Sequence, residues 1–281
     1  MSDTPHCYRH PDRETLVSCS DCGRPICEDC MTFAPVGIRC PDHANVGAAK
    51  SSPAKTVRTV QRRAGALEHP VTAGLIAINV LVYLLTVAQG SGIGNPGGKL
   101  FEDMWLTGVQ VGGGDWYRLV TAMFLHASIL HIGFNMLALW WFGTAVEQAL
   151  GTWRYLVVYF VSGIVGSVGA LLFSSPLAVT VGASGAIFGI MGSLLIMQYR
   201  ATGTLAGPVL TVIVLNLAFT FAIPGISKGG HLGGLVGGIL TTLAFDEARR
   251  RRMPALGFVL AVAIAVGGIV VAYMRVKTTS L

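Results

Sequence analysis

The run Tyr155–Tyr199, YLVVYFVSGIVGSVGALLFSSPLAVTVGASGAIFGIMGSLLIMQY, contains no charged residue in 45 positions. A helix rises 1.5 Å per residue, so about 20 apolar residues cross the hydrocarbon core of a bilayer. The run is therefore too long for one crossing. Its polar, proline-containing middle, Ser174–Thr180 (SSPLAVT), divides it into two. Similar runs lie on both sides. Val71–Gly98 is uncharged and opens on VTAGLIAINVLVYLLTVAQ, and Leu119–Val146 is uncharged but carries two histidines and an asparagine. Ala201–Ser227 ends at Pro224-Gly225, Gly229–Phe245 holds one histidine, and Met253–Met274 closes the series. The reading is an all-α polytopic membrane protein with seven candidate spans.

Composition points the same way. The 281 residues are 52% hydrophobic and only 12% charged, with a mean hydropathy of +0.62; soluble chains carry about 25% charged residues. The 36 glycines suit helices whose backbones approach closely in lipid. The net charge of +6 forms no basic stripe with interleaved aromatics, so no nucleic-acid partner is expected. Instead the basic residues punctuate the apolar runs. Lys55, Arg58, Arg62, Arg63, Arg154, Arg200 and Arg249–Arg252 fall on one side of the alternation, and Lys99, Arg118, Lys228, Arg275 and Lys277 on the other. The more basic side faces the cytoplasm, which puts the amino terminus inside. No secretory signal peptide is expected, because residues 1–69 begin polar and cysteine-rich and continue basic. Four parts result: a cysteine-rich domain at 1–46, a basic flexible linker at 47–69, a core at 70–247, and a last span with a short tail at 248–281.

All six cysteines lie between Cys7 and Cys40, in Cys7-x2-His10, Cys19-x2-Cys22, Cys27-x2-Cys30 and Cys40-x2-His43. Four such pairs supply eight ligands, enough for two tetrahedral zinc ions. Disulfides are the alternative, but they would not require histidines at matched spacing. A cross-brace joins Cys7, His10, Cys27 and Cys30 at one ion, and Cys19, Cys22, Cys40 and His43 at the other. The array resembles a B-box-type zinc finger, with a final Cys-x2-His where that family often has two histidines. So small a domain would owe its fold to the metal. Every candidate ligand is consumed in closing a site, so the expected role is docking to a cytoplasmic protein. His6 lies outside the pairing and is expected in solvent.

Polar residues inside apolar runs are costly and are candidates for function. Ser184 stands in Gly182-Ala183-Ser184-Gly185, where glycines permit a tight turn and close helix approach. A serine in a membrane helix is more often packing glue. His231 opens GGHLGGLVGG, with Gly234 and Gly238 on one face; a lone buried histidine is more often structural. If that face met Gly185 and Gly189, Ser184 and His231 would lie together and the imidazole could take the serine proton. His131 and Asn135 are four residues apart on one helix face and both can donate toward an oxyanion, or simply bond two helices. The stretch Phe101–Arg118, with Trp105, Trp116, Tyr117 and Arg118, reads as an interfacial anchor.

Taken in order, HASILHIGFN, GASGAIFG and GGHLGGLVGG resemble the rhomboid family of intramembrane serine proteases, over about Pro70–Phe245. The resemblance implies a six-helix bundle, here with an extra carboxy-terminal transmembrane helix. It implies that Ser184 is the nucleophile and His231 the general base, with an oxyanion hole from His131, Asn135 and the Ser184 backbone N–H. No metal is implied for the chemistry. His126 would be structural, and Gly234 and Gly238 would be close-packing glycines. Departures are Tyr117 between Trp116 and Arg118 where the family has Trp-Arg, Phe188 where some relatives have tyrosine, and Gly230 where alanine is frequent. The implied substrates are transmembrane proteins cut near the outer surface of a membrane, with a bacterial plasma membrane expected. Two other classes would leave different marks in the sequence. A non-catalytic client-binding relative would typically lack the serine or the histidine. A transporter would show paired midplane charges or an internal repeat.

Overall fold

The computed structural model describes residues 4–33, 37–44 and 68–279, with the side chains of 278 and 279 excepted. The linker expected at 47–69 therefore lies outside the described residues except for its last two positions. The described residues belong to two compact units, one within Met1–Ala66 and one within Leu67–Leu281.

The small unit has little regular structure: a 3-10 turn at Glu28–Cys30 and a two-stranded antiparallel ribbon, β1 (Thr32–Phe33) on β2 (Ile38–Arg39), with Thr32 opposite Arg39. Among its described residues, Ile26 is the one fully buried aliphatic side chain, packed among Cys7, Cys19, Cys27, Cys30 and Cys40. Asp42 accepts from the Tyr8 hydroxyl at 2.8 Å and from Arg9 at 2.5 Å, tying the two ends together. His6 is exposed.

The large unit is helical throughout. Helix α1 (Pro70–Gln89) begins with proline at its first turn, where the missing N–H does no harm. The next two N–H groups do find a partner. Val71 donates to Glu147 Oε1 at 3.0 Å, and Thr72 donates to Oε2 from both its N–H and its hydroxyl at 2.8 Å. Thr72, Leu75, Asn79, Tyr83 and Thr86 form the buried face of α1, while Ile78, Leu81, Leu84 and Leu85 are exposed. Mostly polar residues inward and apolar residues outward invert the soluble pattern, as a lipid environment requires.

The stretch Phe101–Arg118 is folded, not a simple interfacial loop. It holds the end of α2 (Gly98–Met104) and all of α3 (Gly108–Gly112), and the 5%-exposed Arg118 organises it. Arg118 pairs with Asp115 at 2.9 Å and donates to the carbonyls of Glu102 (2.7 Å) and Trp105 (3.0 Å). The reading of Trp105, Trp116, Tyr117 and Arg118 as an interfacial anchor did not anticipate a buried guanidinium.

The run expected as one span over Leu119–Val146 is broken. Short α4 (Arg118–Thr121) and a 3-10 turn (Ala122–Phe124) lead into extended backbone at Leu125. Helix α5 (Ile129–Ala138) starts afresh, because the Ser128 hydroxyl accepts the His131 N–H at 3.2 Å. It continues through a π turn (Leu139–Gly143) into α6 (Thr144–Leu150). Gly151 then reverses the chain at φ +80°.

Next come α7 (Thr152–Phe173), α8 (Ser184–Thr202), α9 (Pro208–Ala222), α10 (Lys228–Arg250) and α11 (Pro254–Thr279). The interval between α7 and α8 is ordered by Leu106 and Thr180, which exchange backbone hydrogen bonds at 3.1 and 2.9 Å. The span expected over Ala201–Ser227 is shorter, because Pro208 starts α9 and Pro224 pushes Ile223 out of helical geometry. Conversely, α10 outruns its expected end at Phe245 and carries Arg249 and Arg250 in its last turn, where cations oppose the helix dipole.

Among the described residues, four helices are long and apolar enough to cross a membrane: Pro70–Gln89, Ile129–Leu150, Thr152–Phe173 and Pro254–Lys277. Helices α8 and α10 have 19 and 23 residues, but they face protein more than lipid and are rich in glycine instead. Together with α7 they form the tightest part of the unit. A Cβ added at Gly234 would land on the Gly185 backbone, and one at Gly238 on the Gly189 backbone. Gly166 and Gly169 of α7 meet Gly230 and Gly229 of α10 in the same way. The Thr242 and Ser193 hydroxyls, 2.7 Å apart, add a buried polar link between α10 and α8.

Candidate active site

The close approach of α8 and α10 decides the distance between two side chains that are 47 residues apart in sequence. Ser184 is the first residue of α8 and His231 lies in the first turn of α10, whose start is capped by Ser227 accepting the Gly230 N–H at 3.1 Å. Ser184 Oγ and His231 Nε2 are 2.8 Å apart. Phe188, one turn beyond Ser184, stacks on the imidazole with ring centroids 4.2 Å apart and planes at 23°. The ring holds the imidazole plane without contributing a hydroxyl. On its other nitrogen, Nδ1, His231 meets Thr220 Oγ1 of α9 at 2.7 Å.

The chain enters α8 through Gly182 at φ +124°, a conformation that a side chain would strain. The Gly182 N–H donates to the Ala122 carbonyl at 2.9 Å, fixing the turn against the segment before α5. An added Cβ at Gly182 would lie 2.7 Å from His131 Nε2 and 3.7 Å from Ser184 Oγ. His131 thus stands within reach of the serine across an unobstructed glycine. Its other nitrogen, Nδ1, accepts the Ala127 N–H at 3.4 Å, an arrangement that leaves the hydrogen on Nε2, pointing at the site. His126 is fully buried and presents its ring to His131 edge-on at 4.9 Å. Asn135, one turn after His131, is buried and lines the same space.

Ser184, His231, His131, Asn135 and Phe188 border one cavity of about 800 Å³, also lined by Met123, Phe134 and Met191. At its edge the first turn of α8 presents backbone N–H groups with no acceptor inside the helix. A bare hydroxyl at bonding distance from an imidazole, with donors beside it, is an arrangement suited to acyl transfer. Of the residues read from sequence, Ser184, His231, His131 and Asn135 come together here. Gly182 makes the tight turn that the sequence suggested, whereas Thr220 and the α7 glycines carry no signal in the sequence pattern. Thr220 sits among many small polar residues of apolar helices, and nothing in its local spacing marks it.

In the small unit, Cys7, His10, Cys27 and Cys30 converge, as do Cys19, Cys22, Cys40 and His43, each set with ligand atoms within 4.8 Å of one another. His10 Nδ1 lies 3.3, 3.4 and 3.8 Å from the sulfurs of Cys27, Cys30 and Cys7. Cys40 Sγ is 3.1 Å from His43 Nδ1 and 3.9 Å from Cys22 Sγ. Metal–sulfur bonds of about 2.3 Å at tetrahedral angles put neighbouring ligand atoms about 3.5–3.8 Å apart, so both sets could hold a metal ion. All six cysteines are unbridged thiols.

Comparison with known proteins bears on the large unit. The Rhomboid domain family matches residues 113–247. The chain is 38% identical over 206 residues to "Rhomboid protease GluP" of Bacillus subtilis (strain 168), covering 68% of this chain but 38% of that protein. It is 33% identical over 190 residues to "Putative rhomboid protease YdcA" of the same organism, covering 66% of this chain and 92% of that protein. "RHOMBOID-like protein 6, mitochondrial" of Arabidopsis thaliana is 37% identical over 142 residues, 48% of this chain and 44% of that protein. With its serine, its histidine and the glycine seam that joins them on successive motifs, the chain belongs to the rhomboid family of intramembrane serine proteases.

Proposed function

We propose that the chain hydrolyses peptide bonds in or near transmembrane segments of membrane-protein substrates. The observation that carries this reading is the 2.8 Å contact of Ser184 Oγ with His231 Nε2 at the edge of a cavity that also holds His131 and Asn135. Ser184 attacks the scissile carbonyl while His231 Nε2 takes its proton. The oxyanion is received by the Ser184 N–H, the His131 Nε2–H and the Asn135 side-chain amide. His231 then returns the proton to the leaving amine. Water, activated by the same nitrogen, releases the acyl group from Ser184. The chemistry uses the protein's own groups throughout, in the manner of the family. A substrate helix must unwind locally to present a carbonyl, so substrates with helix-weakening Gly or Pro are expected.

The rest of the assignment follows. Residues 70–247 are the six-helix catalytic core, and 248–281 carry a seventh span. Residues 1–46 are a structural zinc module with two ions, held by Cys7, His10, Cys27 and Cys30 and by Cys19, Cys22, Cys40 and His43. Zinc would supply this module with fold stability that its small core cannot. The amino terminus is cytoplasmic in a bacterial plasma membrane, and the module is placed to dock a cytoplasmic protein. Digestion of the module by an added protease in inside-out but not right-side-out vesicles supports this orientation, and the reverse pattern refutes it.

The test is cleavage of a reporter transmembrane substrate in reconstituted vesicles by the wild type, Ser184→Ala and His231→Ala. Cleavage by the wild type and silence of two folded variants is the expected result. A diverse substrate panel left uncut, or variants that cut equally well, overturns the protease reading and leaves client binding in its place.

A further inference from the structure

Thr220 lies on α9, is 1% exposed, and has two acceptors or donors at bonding distance from one hydroxyl. Its Oγ1 is 2.7 Å from the carbonyl oxygen of Asn216, one turn earlier in the helix, and 2.7 Å from His231 Nδ1. A hydroxyl has a single hydrogen to give. Given to Nδ1, it would leave Oγ1 facing a carbonyl oxygen at 2.7 Å with nothing between two sets of lone pairs. Given to the Asn216 carbonyl, the back-bond habitual to helical threonine, it makes both contacts hydrogen bonds on one condition: Nδ1 must carry a hydrogen. Nε2 is then bare, and it faces Ser184 Oγ at 2.8 Å as an acceptor. The chain of bonds runs one way, from the Ser184 O–H to His231, from His231 to Thr220, and from Thr220 to a backbone carbonyl.

From this geometry we infer that Thr220 is a positioning residue for the reaction, holding Nδ1–H of His231 so that Nε2 is the base for Ser184. The inference rests on the protease reading and adds a third member, on a third helix, to the serine and histidine. Phe188 fixes the plane of the imidazole. Thr220 fixes its rotation within that plane and its tautomer, which stacking alone cannot do. The same bond persists when His231 becomes imidazolium and strengthens as charge develops on the ring. The acceptor is neutral, so its contribution is smaller than that of the carboxylate in a serine–histidine–aspartate triad.

Two variants separate the hydroxyl from the shape of the side chain. Thr220→Val keeps the shape and removes the acceptor; Thr220→Ser keeps the hydroxyl and removes a methyl group. In vesicles, Thr220→Val is expected to lose about 10- to 100-fold in kcat with KM changed by less than about threefold, because ground-state binding of substrate is untouched. Thr220→Ser should stay within about threefold of wild type in kcat. A Thr220→Val enzyme as fast as wild type overturns the inference, as does a Thr220→Ser enzyme as slow as Thr220→Val. Nitrogen-15 spectra of His231 in the uncut enzyme read the tautomer without reference to activity: hydrogen on Nδ1 is expected, and hydrogen on Nε2 refutes it. A wild type no faster than Ser184→Ala on any substrate removes the protease reading itself, whereas normal wild-type cleavage with an indifferent Thr220→Val removes only this inference.

Discussion

Substituting Gly234 with alanine tests whether the contact of α8 with α10 sets the distance between Ser184 and His231. The new Cβ would stand 2.9 Å from the Cα of Gly185 and closer still to its carbonyl oxygen, where ordinary contact begins at 3.4 Å. Both atoms are backbone, so no rotamer change relieves the overlap and the helices must part. The required movement is about 0.5 Å judged by the Cα and more than 1 Å judged by the carbonyl oxygen. Gly185 follows Ser184 directly, and Gly234 lies one turn after His231. The 2.8 Å bond therefore lengthens by nearly the full displacement and leaves the hydrogen-bonding range. A misplacement of about 1 Å costs on the order of 100-fold in rate, and overpacking of this kind costs about 1–3 kcal/mol of stability. Initial rates on a reporter substrate, with thermal denaturation followed in parallel, measure both. Gly238→Ala is the control: it overlaps the Gly189 backbone at least as severely, one turn farther from the dyad. It should destabilise as much and slow cleavage less. A Gly234→Ala enzyme with wild-type kcat/KM, or equal rate losses at the two positions, refutes the argument.

Glu147 is 4% exposed and accepts three hydrogen bonds from Val71 and Thr72 at the start of α1. Glu147→Gln turns one accepting oxygen into a donor that faces donors, so a loss of about 1–3 kcal/mol is expected, read as a lower denaturation midpoint; an unchanged midpoint would show that α1 does not depend on this cap. In the cysteine–histidine unit, metal analysis of the purified chain should return two zinc ions per molecule. Cys27→Ser should lose the ion held by Cys7, His10 and Cys30, and a stoichiometry unaffected by Cys27→Ser would dismiss the proposed ligand set.

Membrane character was legible in the sequence because lipid imposes a composition: uncharged runs near 20 residues, with charges confined between them. Ends of helices were less legible. The break inside Leu119–Val146 depends on a Ser128 cap and on the burial of His126, neither of which changes hydropathy. Arg118 looked like a surface anchor because arginine beside tryptophan is common at interfaces, yet three local acceptors let it be buried.

At the site the division is sharper. The sequence marked Ser184, His231, His131 and Asn135 as polar residues inside apolar runs, and the resemblance to the rhomboid family, not their spacing, implied their catalytic roles. The spacing marked which faces of α8 and α10 lack side chains. Only the tertiary structure decided that those faces meet, that a third glycine face on α7 joins them, and that Thr220 of α9 reaches His231 Nδ1. Helical periodicity reports the side a residue faces, not the partner it meets there. That partner is set by how closely whole helices pack, a property of backbones that no local stretch of sequence contains.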